Sequence, residues 1–298
     1  MSKKFVIALV IIWSVIIIAL IGLLVFLFNS NVAGTNWYHM QNSTEYHQDF
    51  KETYKTADID EISLGIANGD ISVNQGDTDE IKVEVKNNSR NKITCGRNGN
   101  TVEVKQESES FMVFNLSFMS NSEVTITVPK SYNKKLNLRT SSGDIRISGD
   151  YDVEKFICNS SSGSFSADTV KCQIIDINAS SGEIRAKKLE GNCSVKTSSG
   201  SIRIDAVNGE GSFKTSSGSI TTDFEAITGN VDINASSGSI HMGIREDADC
   251  SIDMHTSSGH INSDYPTTGS KKSKNAQIGS GSKKVSISTS SGSISLNK

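Results

Sequence analysis

Apolar and polar residues alternate along most of the chain after residue 130, and Ser-Ser-Gly or a close variant interrupts the alternation at regular intervals. Seven and five residues before nearly every one of these glycines the side chains are apolar, as at Cys193 and Val195 before Gly200. Two and four residues after most of the glycines they are apolar again, as at Ile202 and Ile204. A period of two is typical of a strand with one buried face. Each repeat is therefore predicted to contain two short, half-buried strands.

The Ser-Ser-Gly segment is predicted to bend the chain. The inward position three residues before the glycine and the inward position two residues after it are five residues apart, an odd number, so the inward phase changes across the segment. Glycine is the residue that adopts positive φ without steric cost, and we expect that conformation here. A looser connection, such as residues 205–211, is expected to lead into the next repeat.

Close copies of this segment recur eight times, with a spacing of 18 to 21 residues and one final spacing of 33. A period near 20 residues indicates a stacked architecture, because one repeat buries too few apolar side chains to fold alone. We predict an all-β fold, a β-solenoid of about eight or more coils with adjacent strands about 4.8 Å apart. The repeat glycines are Gly143, Gly163, Gly182, Gly200, Gly218, Gly238, Gly259 and Gly292.

The amino-terminal segment predicts one transmembrane helix. Residues 5–28 contain no charged residue and follow Lys3 and Lys4, and 24 such residues can span a bilayer core of about 30 Å. The lysines before the segment place a short tail, residues 1–4, in the cytoplasm and the rest of the chain outside it. A signal peptide cleaved after Val32-Ala33-Gly34 is the alternative, although its apolar region is usually shorter.

The remaining boundaries follow from changes in pattern. Residues 29–56 are polar with scattered aromatic residues and are predicted to form a stalk, and residues 57–298 form the repeat domain. Within it, residues 57–130 are expected to form irregular first coils, with a degenerate repeat copy around Gly69 and an apolar excursion from Ser108 to Ser122 that caps the stack. Residues 131–298 form the regular repeats, interrupted by an insertion at 265–284.

Composition narrows the function classes. The 298 residues carry a formal charge of −3 and only 6% aromatic residues, without the basic face and stacking aromatics that nucleic-acid binding requires. The five cysteines are interpreted as buried thiols that serve as packing residues, with disulfides between coils or metal ligation as alternatives. No CxxC spacing favours a metal.

The insertion is rich in glycine, serine and lysine. It is predicted to be a solvated loop, or alternatively a contact for anionic envelope polymers or lipid headgroups, which would be weak and salt-dependent. The lysines concerned are Lys271, Lys272, Lys274, Lys283 and Lys284.

No catalytic residue, cofactor-binding residue or metal ligand is predicted. The chain lacks GxSxG, HExxH, P-loop and GxGxxG motifs, and no base is paired with the repeat serines, which are interpreted as stacked turn hydroxyls or, less favourably, as a surface-binding ladder. His241, His255 and His260 are expected in adjacent coils as a weak metal candidate. A solenoid enzyme acting on polysaccharide would need clustered carboxylates, and the predicted outward acids are dispersed: Asp144, Asp176, Glu183, Asp232 and Asp253.

The run from Val124 to Lys130, then Leu136-Asn-Leu138, the Ser-Ser-Gly at Gly143 and its reiterated copies resemble the bacterial family of β-strand-repeat putative adhesins, also called toastrack domains. The resemblance covers about residues 57–298 and brings no catalytic residues. It implies a non-enzymatic, adhesin-like binding or scaffolding module of the cell envelope, or alternatively an accessory component of an envelope-stress signalling complex. The implied partners are the bilayer and envelope polymers or membrane proteins, and the oligomeric state is left open.

Overall fold

The computed structural model describes residues 48–87, 92–107 and 122–298, and strands dominate them. In this part of the chain, twenty strands form one hydrogen-bonded sheet that winds around an apolar core. The first eight are β1 Gln48–Lys55, β2 Glu61–Ile66, β3 Asp70–Gly76, β4 Glu80–Asn87, β5 Ile93–Asn98, β6 Thr101–Gln106, β7 Ser122–Pro129 and β8 Lys135–Thr140. The next six are β9 Ile145–Ser160, β10 Phe165–Ala179, β11 Ile184–Thr197, β12 Ile202–Thr215, β13 Ile220–Ala235 and β14 Ile240–Ile244. The last six are β15 Cys250–Thr256, β16 Ile261–Ser263, β17 Thr267–Gly269, β18 Ser273–Ile278, β19 Lys283–Thr289 and β20 Ile294–Asn297.

In these described ranges the helical structure is the 3-10 turn Thr56–Asp58, and no helix there has the length and hydropathy to cross a membrane. The predicted anchor at residues 5–28, its cytoplasmic tail and most of the predicted stalk lie outside the described residues.

Each regular coil has two faces joined by the Ser-Ser-Gly segment, which we call the arc. Strands that enter an arc form the first face, and strands that leave it form the second face. Neighbouring coils pair in parallel with like residues aligned, and the aligned inward residues are buried. Examples are Ile184, Ile202 and Ile220 on the second face and Val195, Phe213 and Ile233 on the first. The predicted solenoid of half-buried strands is confirmed.

The connection at residues 205–211 is more regular than predicted on the side that faces β11, although its pairing with β13 shifts register there. Residues 205–211 lie within β12, which stays paired with β11 as the chain passes from the second face to the first. The corner turns at glycines with positive φ, 133° at Gly191 and 128° at Gly211. These glycines let the backbone bend tightly without leaving the hydrogen-bonded ladder, so a loose loop is not needed.

The reason for glycine in the arcs also differs from the prediction. None of the eight repeat glycines has positive φ. Instead, a Cβ atom on Gly200 would collide with the carbonyl oxygen of Gly182 in the neighbouring coil, and the same clash recurs along the stack. Close approach of two backbones, rather than an unusual dihedral angle, excludes larger residues.

Spatial order departs from chain order at the carboxy-terminal end. Strand β19 lies between β13 and β15, and β20 lies between β14 and β16. The coil of Gly292 is therefore inserted between the coils of Gly238 and Gly259. The insertion at 265–284 makes this possible, because its residues return the chain over the last coil before it enters the stack.

The amino-terminal end has a similar arrangement. Strands β2 and β3 lie between β6 and β7 on one side and β8 and β9 on the other, and the predicted repeat copy at Gly69 does stack on Gly143. Antiparallel strands β4, β1 and β5 border this end. Because β1 begins at Gln48, the folded unit starts inside the predicted stalk. The predicted cap lies outside the described residues, except for Ser122 at the start of β7.

The core is filled mainly by isoleucine, valine and leucine. All five cysteines are free thiols in the structure, and Cys158 and Cys193 are buried on the inward positions predicted for them. Burial raises the pKa of Cys193 to about 12. The thiols therefore act as small apolar packing residues.

Candidate binding surface

Threonine hydroxyls join five of the eight arcs to a neighbouring coil. The Thr215 hydroxyl accepts a hydrogen bond from the Gly218 N–H at 3.1 Å and donates to the Gly200 carbonyl of the adjacent coil at 2.8 Å. Thr197 and Thr256 make the corresponding pairs of bonds. Small hydroxyl residues three positions before the glycine therefore satisfy backbone groups within and between coils.

The two serines of each arc play a different part. Their backbone N–H groups bond to the neighbouring coil, as from Ser199 to the Ser180 carbonyl at 2.9 Å, whereas their side chains are exposed. Since coils stack about 4.8 Å apart, the hydroxyls form two columns that face solvent. The exposed serines are Ser141, Ser142, Ser161, Ser162, Ser180, Ser181, Ser198, Ser199, Ser216, Ser217, Ser236, Ser237, Ser257, Ser258, Ser290 and Ser291.

The first face carries outward rows that run along the stack, two of them close to the arcs. We call the one nearer the arcs the arc-side row, and it contains cations, amides and hydroxyls but no carboxylate. Its members in spatial order are Lys105, Gly65, Arg139, Asn159, Asn178, Lys196, Lys214, Asn234, Ser288 and His255. Acids of this face lie in the row next to it, at Glu103, Asp176, Asp232 and Asp253, and further from the arcs at Glu61. Sequence reasoning missed the arc-side row, although its members share one repeat position.

A groove of about 490 Å³ lies where the arc-side row meets the serine columns. Its polar lining includes Arg139, Asn159, Asn178, Ser141, Ser161 and Ser180, with no carboxylate. Two other grooves have mixed charge. One of about 550 Å³ is lined by Asp152, Glu154 and Glu190 with two lysines, and one of about 390 Å³ contains Asp232 and Lys284.

The five lysines of the insertion lie in different environments. The insertion forms the antiparallel strands β17 and β18, and β18 pairs with β15. Lys272 donates to the carbonyl of Gly259, and Lys274 donates to that of Ile261 at 2.8 Å. Lys284 lies 4.0 Å from Asp253, whereas Lys271 and Lys283 bind no carboxylate among the described residues. Two of the five thus satisfy backbone carbonyls of the last coil in the stack.

The predicted outward acids are individually partnered. Asp144 lies 2.7 Å from Arg146, Glu183 lies 2.8 Å from Arg185, and Asp232 lies 2.7 Å from Lys214. Asp176 accepts a 2.9 Å bond from the Asn178 amide. No two of these acids lie on adjacent strands, and Ser286 of β19 separates Asp232 from Asp253.

The three histidines do not lie in adjacent coils as expected. Strand β20 separates His241 from the coil of His255 and His260. Its Ser295 pairs with His241 on one side and with Asn262 of β16, which belongs to that coil, on the other. Over the ranges 48–87, 92–107 and 122–298, no group of three His, Cys, Asp or Glu side chains could hold a metal ion.

An all-β solenoid with locked arcs and open polar rows is the class of protein that these features define. The Toastrack DUF4097 family model matches residues 59–297, and the chain belongs to that family.

Several solved structures are also similar. A putative adhesin from Bacteroides fragilis NCTC 9343 is 16% identical, with 84% of this chain and 97% of that chain covered and a TM-score of 0.46. A putative adhesin from Parabacteroides merdae ATCC 43184 is 13% identical, with 84% and 97% covered and a TM-score of 0.47. A putative lipid binding protein from Parabacteroides distasonis ATCC 8503 is 16% identical, with 84% and 97% covered and a TM-score of 0.39. A search of curated proteins gave no match.

Proposed function

We propose that this chain is a single-pass membrane protein whose solenoid acts outside the cytoplasm as a non-enzymatic, adhesin-like binding or scaffolding module of the bacterial cell envelope. The observation that carries the proposal is the repetition of exposed polar side chains once per coil, in the serine columns and the arc-side row. Such rows present an extended surface that suits a long polymer or another protein, as the surfaces of solenoids generally do.

The anchoring part of the proposal is supported by sequence. The uncharged run at residues 5–28 is long enough for a bilayer span, and Lys3 and Lys4 precede it. The amino terminus then lies in the cytoplasm and the solenoid outside it. Protease added to intact cells should remove the solenoid and leave a membrane-embedded fragment; full protection of the solenoid would contradict this orientation.

The rival within the same class is a scaffold that supports an envelope-stress signalling complex. The two differ in which part of the chain selects the partner. In-cell crosslinking of the full-length protein, followed by purification from membranes and mass spectrometry, separates them. An adhesin-like module should recover wall polymer or surface glycan, and the recovery should persist when residues 1–28 are replaced by an unrelated anchor. A signalling scaffold should recover specific membrane proteins that are lost on that replacement.

An enzymatic role is tested separately. The double variant Asp176→Asn and Asp232→Asn removes two carboxylates of the first face. Because these acids lie in different coils and each has a partner, we expect no change in any polysaccharide-hydrolysis assay. Loss of a hydrolytic activity present in the unaltered protein would contradict the non-enzymatic proposal.

A further inference from the structure

Two cations of the arc-side row lack an ionic partner. Among the described residues, no carboxylate lies within 4.0 Å of the Arg139 guanidinium or of the Lys196 ammonium group. The other two cations of the row are paired, Lys105 with Glu103 at 2.6 Å and Lys214 with Asp232 at 2.7 Å. An exposed guanidinium presents five N–H donors in a planar fork that matches a carboxylate or a phosphate group.

Two amides lie between these cations. In the strand register Arg139 pairs with Asn159, Asn159 with Asn178, and Asn178 with Lys196. Three strand spacings of about 4.8 Å separate the two cations by roughly 14 Å. The Asn178 amide nitrogen donates to Asn159 Oδ1 at 3.3 Å and to Asp176 Oδ1 at 2.9 Å. Asn159 Nδ2 and Asn178 Oδ1 therefore remain as one donor and one acceptor for a ligand.

One position of the row beside the groove, Gly65, carries no side chain. Gly65 pairs with Arg139 on the side opposite Asn159 and leaves open space beside the guanidinium. The exposed hydroxyls of Ser141, Ser161 and Ser180 line the other side. The surface thus offers a cation at each end, amides between them and hydroxyls alongside.

We propose that this groove, extended to Lys196, binds an acidic glycan: a polyhydroxylated polymer that carries carboxylate or phosphate groups. The two cations bind acidic groups about 14 Å apart, and the amides and serine hydroxyls exchange hydrogen bonds with sugar hydroxyls. No aromatic ring lines the groove, so the groove of a single protein molecule binds the glycan weakly. Many protein molecules anchored in one membrane bind the same polymer together and supply avidity. The proposal rests on the adhesin-like function and names its ligand class.

The experiment compares full-length protein in detergent micelles on three immobilised polymers. Polygalacturonate carries carboxylates, poly(glycerol phosphate) carries phosphates, and dextran is neutral. The variants are Arg139→Gln, Lys196→Gln and the two combined. Arg203→Gln is the matched control, because Arg203 is also exposed and has no carboxylate within 4.0 Å among the described residues, but it lies on the second face.

We expect binding to at least one acidic polymer and none to dextran, and the preference between carboxylate and phosphate identifies the acidic group. Each single variant should weaken the apparent Kd by about tenfold, and the double variant by about a hundredfold because the two sites are more than 10 Å apart and act additively. Arg203→Gln should change the Kd by less than about twofold.

Equal losses in Arg139→Gln and Arg203→Gln would show diffuse charge attraction and overturn the groove assignment. So would equal binding to dextran, or no binding to either acidic polymer. These failures are distinguishable from failure of the proposed function, because crosslinking of the unaltered protein in cells does not depend on the groove. Recovery of an envelope partner there, with no effect of Arg139→Gln, would retain the adhesin-like module and discard this site.

Discussion

Replacing Gly200 with alanine would place a Cβ atom against the carbonyl oxygen of Gly182 in the neighbouring coil. The obstruction involves backbone rather than a flexible side chain, so the two coils must separate locally. Separation stretches three hydrogen bonds near the arc. They are Thr197 Oγ1 to Gly182 O at 3.2 Å, Ile184 N to Ser201 O at 2.9 Å and Ser199 N to Ser180 O at 2.9 Å. At about 1 kcal/mol each, their loss lowers the free energy of unfolding by about 3 kcal/mol.

Urea unfolding of the full-length protein in micelles, followed by far-ultraviolet circular dichroism, measures this loss. Gly96→Ala is the matched control, because a Cβ atom there meets nothing within 4 Å and its φ is not positive. The control should change the free energy of unfolding by less than about 0.5 kcal/mol.

A second substitution separates steric exclusion from a dihedral requirement. Asparagine tolerates positive φ better than alanine, so Gly200→Asn would be the milder change if the arc required that conformation. Because both residues carry a Cβ atom, we expect asparagine to be at least as destabilising as alanine. A Gly200→Ala variant as stable as the Gly96→Ala control, or a well-tolerated asparagine, would refute the reasoning.

Three further predictions concern single side chains. Thr215→Val removes two hydrogen bonds to arc backbone groups and should lower the free energy of unfolding in urea by about 2 kcal/mol. The control Thr228→Val, at an exposed position of β13, should leave it almost unchanged. Equal losses in the two variants would contradict the role of the Thr215 hydroxyl. Burial raises the pKa of Cys193 to about 12. Iodoacetamide at pH 8 should therefore label half-buried Cys95 first and Cys193 only after unfolding, which mass spectrometry checks. Early labelling of Cys193 would place it outside the core. Hydrogen bonds from Ser282 and Ser280 hold the pKa of Asp249 below its usual range. The stabilisation that these bonds give the loop at 279–282 is complete above about pH 4, the ordinary carboxyl value, and declines as pH falls from there toward the lowered pKa. Hydrogen exchange of the backbone amides of this loop should show the loss of protection, and Asp249→Asn should abolish the pH dependence of that protection.

Much of the fold could be predicted because the sequence has two periods. One is the alternation of two residues along each strand, and the other is the spacing of about 20 residues between arcs. Alternation identified the inward residues, such as Ile202 and Val195, and recurrence of Ser-Ser-Gly identified the arcs. Both signals are local, since each depends on which side of a strand a residue occupies. The sequence predicts the wrong reason for glycine in the arcs, positive φ instead of close backbone approach, because a sequence does not show how closely two backbones approach.

The candidate surface was less predictable. The five lysines of the insertion were grouped by proximity in the sequence, yet Lys272 and Lys274 bind backbone carbonyls. The cations that remain without ionic partners in the arc-side row, Arg139 and Lys196, are separated by 57 positions in the chain. Whether a charged side chain has a partner depends on its neighbours across strands, and these neighbours require the register to be known.

The sequence by itself determined that the chain is an all-β stack of coils near 20 residues, which side of each strand is buried, and where the arcs fall. Only the tertiary structure decided the order of the coils, with the coil of Gly292 placed between those of Gly238 and Gly259. The physical reason is that every coil presents nearly the same apolar residues and ladder groups to its neighbours. Such similar coils fit one another in many orders, so the pattern of a single repeat does not specify its neighbour. The insertion at 265–284 lets the chain adopt one of these orders.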